Sequence, residues 1–517
     1  MSGKSLKIFL FFAILINFYL TLSITPLFNL DEGAFSEATR EMFINHNFIT
    51  TYLNGSLRFD KPILIYWLQA LSTLIFGFNE FALRLPSALS ATLWAGGIYF
   101  FTKKIFDEKK AIFAAFFMVT ALQIGIVAKA AIADSLLNMF IAFSMFSLYI
   151  YLKENKERYL LLTFAFIGFG FLTKGPVAVL VPLATYFIYS LIKKNFKQFL
   201  KDTFNIKGII IFLIIALPWY IAEYHQEGMK FIDGFFLKQN LKRFNTSFED
   251  HKGSIFYYIP VILIGFLPWT SLLIKYLVKI KEIIKNDFIL FGSIWFFFVF
   301  IFFSFSGTKL PHYVIYGYTP VFIFMALSFE KIKSEFLFSL PLILFTITLL
   351  VLPFYLRDSL MHFKDFTKIA VITLLPYFNK FYFGILGFIL LLSLINFGKE
   401  IKALILGFSM IFILNYVGWM YSNVRALPVK EAALYVKTHH IKNVVMYHLN
   451  TPSFDVYAKM IVEKRYPKNK DIVLTKATEL KNFNYELLFK KGTIALIKIK
   501  PKIKTNEPLN YIKDRRE

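Results

Sequence analysis

The chain has 517 residues, of which 57% are hydrophobic and 19% aromatic, with a mean hydropathy of +0.57 and a formal net charge of +25. Ordinary soluble proteins are about 45 to 50% apolar, so this composition excludes a soluble enzyme and leaves a polytopic membrane protein with no nucleic-acid partner. There is no cysteine, which removes disulfides, thiolate metal sites and cysteine nucleophiles from consideration.

The run from Lys7 to Leu27 is long enough to cross a bilayer, which takes roughly 17 to 25 residues. No small-residue cleavage site follows it, so it is expected to remain as a signal anchor. Further apolar runs lie near 82–102, 111–128, 135–152, 159–173, 176–192, 208–224, 255–274, 288–306, 311–330, 336–356, 378–397 and 403–422. The expected fold is a polytopic α-helical membrane protein of about thirteen transmembrane helices. With Met1 in the cytoplasm, four basic clusters fall inside, as the positive-inside rule requires: Lys103 to Lys110, Lys153 to Arg158, Lys193 to Lys201 and Lys275 to Lys285.

The first outer loop, about 28–81, contains two further helical patterns. Pro62 to Phe78 could pass for a span, but counting it would move two of those basic clusters outside. It is therefore expected to lie along the outer surface, with Tyr66 and Trp67 at headgroup level. Ala34 to Asn45 mixes Phe35, Ala38, Met42 and Phe43 with Glu37, Arg40 and Glu41, and reads as a second interfacial amphipathic helix. After about residue 426 the long apolar runs stop. Residues 427–517 are rich in Lys and Glu and read as a small soluble α/β domain on the outer side. Its strands are expected at 444–447, 472–474 and 493–497, and its helices at 430–438 and 453–460.

Charges outside the cytoplasmic clusters carry the functional information. Asp31, Glu32, Asp60, Lys61, Lys129, Asp134, Lys174, Arg243, Lys309 and His312 all lie at or just beyond the outer ends of spans in this topology. An ionisable group near hydrocarbon costs about 2.5 to 3.5 kcal/mol on insertion scales, so such groups are by default paired or functional. Cations gathered there against the positive-inside preference suggest a bound anion, and a lipid phosphate is the anion available. Arg243 would engage phosphate oxygens through two parallel donors, whereas a lysine acts as a point charge. Each residue also has a plainer reading. Asp31-Glu32 suits the N-cap of a helix beginning near Gly33, and Lys61 or Lys174 can snorkel to the headgroups. Asp134 beside Lys129 suits a structural ion pair, and His312 next to Pro311 suits an interfacial residue. Independent plain causes would not be expected to collect so many acids and bases on one face.

Seven stretches occur in a telling order: Asp31-Glu32-Gly33-Ala34-Phe35; Leu53-Asn54-Gly55 with Phe59-Asp60-Lys61-Pro62; Arg84-Leu85-Pro86; Leu172-Thr173-Lys174-Gly175-Pro176; Asn240-Leu241-Lys242-Arg243-Phe244; Leu267-Pro268-Trp269; and Lys309-Leu310-Pro311-His312-Tyr313. Together they resemble the integral-membrane GT-C glycosyltransferases that include the aminoarabinose transferase of lipid A and the protein O-mannosyltransferases. The likeness is carried by about residues 7–330 and by the layout of spans with an outer C-terminal domain.

The resemblance implies an inverting transfer of a sugar from a polyprenyl (undecaprenyl) phosphate carrier to an acceptor on the outer face of a bacterial inner membrane. Lipid A or another envelope glycolipid is the expected acceptor; the alternatives are a protein hydroxyl and, in a different class altogether, a transporter or lipid flippase. Asp31 matches the family's proposed base, and Lys61 and Arg243 match residues that contact the carrier phosphate. Glu32, Asp60, Asp134 and Lys174 would line the sugar or acceptor pocket. Lys309, His312 and Tyr313 fall on a donor-side loop, and a second such loop is expected at about 225–254. No cofactor is firmly implied, and a divalent metal on Asp60 or Glu32 is an open option. Aminoarabinose-type members of the family commonly carry Arg and Tyr where this chain has Ala34 and Phe35, and Glu where it has Asp60. Those departures leave the reaction class intact and the identity of the sugar and acceptor open.

Overall fold

The computed structural model describes residues 1–242 and 253–501. Every long apolar run lies wholly or mostly in helix, because in hydrocarbon each backbone N–H and C=O must be satisfied within its own segment. The helices start where short polar side chains cap them: Asn79 accepts from the backbone N–H of Ala82, Asp107 from Lys110, Asn205 from Gly208, Ser334 from Leu337 and Asn379 from Tyr382. Among the described residues, six helices are long and apolar enough to cross a membrane, or up to eight if each of two bent pairs is one span. This is fewer than the expected thirteen. The remaining runs are shorter, broken or more polar, such as Val177–Ile192 and the 255–274 run, which splits into Tyr258–Gly265 and Thr270–Ile283. Buried tryptophans tie the helices together: the indole N–H of Trp94 donates to Thr319, that of Trp269 to Thr120 and that of Trp295 to the Tyr316 carbonyl.

The basic clusters converge on one end of the bundle. The terminal ammonium of Met1 and Lys109 both pair with Glu400, Lys7 and Lys103 with Glu108, Lys104 with Glu154, and Lys153 and Lys193 with Asp287. This linked rim places the ends of the first, second, third, fourth, sixth, ninth and last apolar runs on a single face.

The first outer loop departs from expectation. The Asp31–Ile44 helix is not one-sided: Glu32 through Met42 are all buried, because the C-terminal segment covers the face that the pattern left for water. Its start also differs. Asp31 is the first helical residue, Leu30 is the N-cap, and no side chain caps the end, so the reading of Asp31-Glu32 as an N-cap fails. The Leu64–Phe76 helix has 13 residues, ~20 Å of rise, too short for a hydrocarbon core of about 30 Å. It presents an apolar face of Trp67, Leu71, Leu74, Ile75 and Phe76 while burying Ile65, Tyr66, Gln69 and Ala70.

Beyond the Lys399–Arg425 helix, the chain forms a five-stranded mixed sheet. Its spatial order is Glu463–Lys464, Val444–Met446, Ile472–Lys476, Ile494–Ile499 and Tyr485–Lys491. The first three strands are parallel, with Val445 opposite Val473, and the last two join antiparallel, with Val473 opposite Ile497. The Leu427–Thr438 and Pro452–Ala458 helices cover one face through Val429, Ala433, Val436 and Phe454. Strand 463–464 is Glu-Lys with no apolar residue to announce it, whereas strand 485–491 carries Leu487-Leu488-Phe489, an apolar run that sequence reasoning passed over.

Candidate active site

Opposite the basic rim, three elements meet around buried charge. Lys174 ends the Glu157–Lys174 helix, where a cation complements the helix dipole. The next residue, Gly175, has φ +77°, and a Cβ there would lie 2.7 Å from the Phe235 ring, so the turn that aims Lys174 needs glycine on both counts. The Lys174 ammonium donates to Asp134 Oδ1 at 2.7 Å, and both side chains are more than nine-tenths buried. Two tyrosine rings face the same ammonium, Tyr313 at 5.8 Å and Tyr316 at 5.4 Å, and the Tyr316 hydroxyl reaches Asp134 at 3.5 Å. The Pro311–Gly317 turn carrying these rings is held by Trp295 on the Tyr316 carbonyl and by Gln123 on the Pro311 carbonyl. His312 lies within electrostatic reach of Asp134, Lys174, Asp31 and Lys61.

A cavity of about 630 Å³ opens beside this cluster. Its walls are apolar, from Val177, Leu180, Phe236, Leu237, Phe302 and Phe303, and its polar lining includes Asp60, Lys61, Lys174 and Tyr313. Lys61 donates to the Asp60 carbonyl at 2.9 Å, while the Asp60 carboxylate pairs with Arg58 at 2.9 Å. Asp31 does not line this cavity. Its exposed side chain stands at the helix start, in electrostatic reach of both Arg58 and His312.

Glu32 does not line the cavity that holds Lys61 and Lys174. Both its oxygens accept from Arg84, at 2.7 and 2.8 Å, and it also takes the backbone N–H groups of Phe28 and Ala131. A carboxylate with four donors and no free lone pair is a structural tie, and it locks the start of the Asp31–Ile44 helix to the membrane helices. The suggested metal pair fails for the same reason: Glu32 and Asp60 are each neutralised by an arginine, and among the described residues no three His, Asp or Glu side chains are grouped to hold an ion. Lys129 does not pair with Asp134. It bonds the amide oxygens of Asn17, at 3.4 Å, and Asn415, and so sits beside the middle of the 7–27 run, deeper than its expected place at a span's outer end. Lys309 is buried, with its ammonium on the Ser306 carbonyl at 2.7 Å, behind the cavity wall. Arg243 lies outside the described residues, as does most of the second half of the 225–254 loop.

A second cavity, about 490 Å³, reaches Glu32 and Arg84 from the other side of the 129–134 segment. Lys129 and Asn415 give it polarity; Phe345, Met410, Ile413, Leu414 and Val417 make the rest apolar.

Comparison with known proteins places this arrangement. A family model described as dolichyl-phosphate-mannose-protein mannosyltransferase matches residues 60–221. An uncharacterised protein of Aquifex aeolicus is 32% identical over 308 residues, covering 60% of this chain and 69% of that one. The undecaprenyl phosphate-alpha-4-amino-4-deoxy-L-arabinose arabinosyl transferase of Yersinia enterocolitica is 31% identical over 332 residues, 63% of this chain and 59% of its own. The chain thus spans less than two thirds of that transferase's length. The crystal structure of ArnT from Cupriavidus metallidurans bound to undecaprenyl phosphate superposes with a TM-score of 0.78 at 17% identity, covering 96% of this chain and 98% of that one. The chain belongs to the GT-C glycosyltransferases. Arg58, which pairs with Asp60, and Tyr316 and Phe236, which line the cavity, belong to the candidate site and were passed over by sequence reasoning. Arg58 stands two residues before Asp60, and Tyr316 follows Tyr313 by three, one helical turn that brings both rings to the same lysine. Phe236 had no signal, since one phenylalanine among 65 does not announce itself.

Proposed function

We propose that this GT-C transferase moves a sugar from a polyprenyl phosphate carrier to a hydroxyl of an envelope glycolipid such as lipid A, on the outer face of a bacterial inner membrane. The observation that carries the reading is the cavity in which Lys61 and Lys174 sit among apolar walls, within electrostatic reach of the group that also faces Asp31. An isoprenoid phosphate needs such a site: hydrocarbon walls for the chain and fixed cations for the headgroup. Asp31 takes the proton from the acceptor hydroxyl as its oxygen attacks the anomeric carbon. The bond from that carbon to the carrier phosphate breaks on the opposite side, and the configuration inverts. The phosphate leaves with its charge, which Lys61, together with Arg243, stabilises where it develops. Lys174 stays paired with Asp134 and adds to the positive potential of the cavity it lines. The second cavity supplies a separate apolar approach for a lipid acceptor.

The match of residues 60–221 to a protein mannosyltransferase model favours one other reading, a protein hydroxyl as acceptor. Transfer by purified protein in nanodiscs separates them, with host membrane lipids as donor pool and mass spectrometry of lipid A and of proteins as readout. A new mass on lipid A is expected. A new mass only on protein would move the acceptor assignment, and lipid movement across liposomes without transfer would overturn the enzyme reading. Asp31→Asn should lower turnover by about 10²- to 10⁴-fold, the usual contribution of a positioned base, and leave binding of undecaprenyl phosphate intact.

A further inference from the structure

The Asp31 helix is held from two sides. On the membrane side, Arg84 and the Ala131 N–H grip Glu32. On the other side lies the Pro452–Ala458 helix of the C-terminal segment, more than 400 residues away in sequence. A Cβ built on Gly33 would stand 2.5 Å from the Ser453 backbone nitrogen and 3.1 Å from its Cα, so the two helices touch backbone to backbone two residues from Asp31. The Ser453 hydroxyl donates to Asn29 Oδ1 at 2.5 Å, two residues before Asp31. The Tyr457 hydroxyl accepts from the Leu27 N–H at 2.7 Å and donates to Glu80 at 2.9 Å, and Lys430 pairs with the same carboxylate at 2.5 Å. Val456 and Tyr457 pack with Leu27, Leu83 and Ala131 in a small core, so one cluster joins the segment before Asp31, the helix of Arg84 and the strip that grips Glu32.

We propose that the C-terminal segment is a working part of the catalytic centre, with Gly33, Ser453 and Tyr457 as positioning residues that fix where the Asp31 carboxylate stands. This rests on the reading of Asp31 as base. The contacts constrain residues 27–33 and avoid the carrier cavity, whose lining contains none of them. Their loss should therefore fall on the chemical step. A base held within tenths of an ångström of its proton loses rate steeply when its support loosens, since even a 1 Å misplacement can cost about 100-fold.

The test uses the full chain in nanodiscs with donor titrated from host membrane lipids. Gly33→Ala should lower kcat tenfold or more while KM for the donor stays within twofold. Ser453→Ala combined with Tyr457→Phe, which removes two hydroxyls and almost no volume, should lower kcat severalfold and shift the acid limb of the pH–rate profile, because the carboxylate's surroundings change. Restoring either hydroxyl singly should recover part of the loss. If Gly33→Ala fails to fold, the double variant decides. A double variant with unchanged kcat per folded molecule and an unchanged acid limb, alongside an inactive Asp31→Asn, would overturn this inference alone. Full turnover in Asp31→Asn would overturn the base assignment and this inference with it.

Discussion

The two charged ends of the bundle are built on opposite terms. At the basic rim, ion pairs such as Lys103 with Glu108 and Lys207 with Glu157 are largely exposed, so water already solvates both partners and each pair adds little. At the other end, Lys174 with Asp134 and Arg84 with Glu32 are almost fully buried. Burying a charge is costly unless its partner and remaining hydrogen bonds are in place, and replacing such a pair with apolar side chains is often no loss in stability. Charge kept where it does not favour folding is charge kept for another reason. The buried pairs divide further: Glu32 and Arg84 have every hydrogen-bonding position taken by protein groups, whereas Lys174 lines the cavity of Lys61 while it holds Asp134.

Four experiments would break or sharpen that contrast. The largest effect is expected from Lys174→Ala, which leaves the Asp134 carboxylate buried without its cation and should destabilise the protein by about 3 to 5 kcal/mol in thermal or denaturant unfolding. Asp134→Asn added to it should restore most of the stability and none of the transfer, which separates the pair's structural part from its place in the site. Lys61→Ala should come next: it removes a point charge from the cavity lining, and undecaprenyl phosphate should bind about tenfold more weakly with the melting temperature nearly unchanged. Unaltered affinity would take Lys61 out of the phosphate site.

A smaller effect is expected from pH. Asp455, buried at the contact between the C-terminal segment and the 52–57 hairpin, has its carboxyl pushed up to about 8 by burial and by Glu37, against the help of Asn54. The folded state then binds a proton that an unfolded carboxyl of pKa about 3.9 releases. Its contribution to stability is complete below about pH 4 and is lost as pH rises through about 8. This contribution to the melting temperature should fall between about pH 4 and 8 and level off above, and Asp455→Asn should remove that part of the slope. The smallest effect belongs to Lys103→Ala at the rim, where neither melting temperature nor turnover should move measurably; a loss of transfer there would erase the distinction between the two ends.

Much of this was legible in the residues themselves. Hydrophobic runs of sufficient length must be helical in a bilayer, so the helices at 134–154, 206–227 and 287–305 followed from composition, as did the convergence of the lysine clusters on one face. Acids and bases set against the positive-inside preference marked Asp31, Lys61, Asp134 and Lys174 for the same physical reason. Partner choice was not legible. Lys129 is five residues from Asp134, yet the carboxylate belongs to Lys174, because the end of one helix and the start of another meet only after the bundle packs. That Arg84, 52 residues away, takes both oxygens of Glu32 could not be read from the sequence. The Asp31 helix looked amphipathic because its polar face is real in sequence, and a segment more than 400 residues downstream covers it. Sequence alone determined which residues carry charge and which stretches cannot be left in water, since those are properties of side chains. Only the tertiary structure decided which charges neutralise each other and which remain facing a cavity, since that depends on distances no linear spacing records.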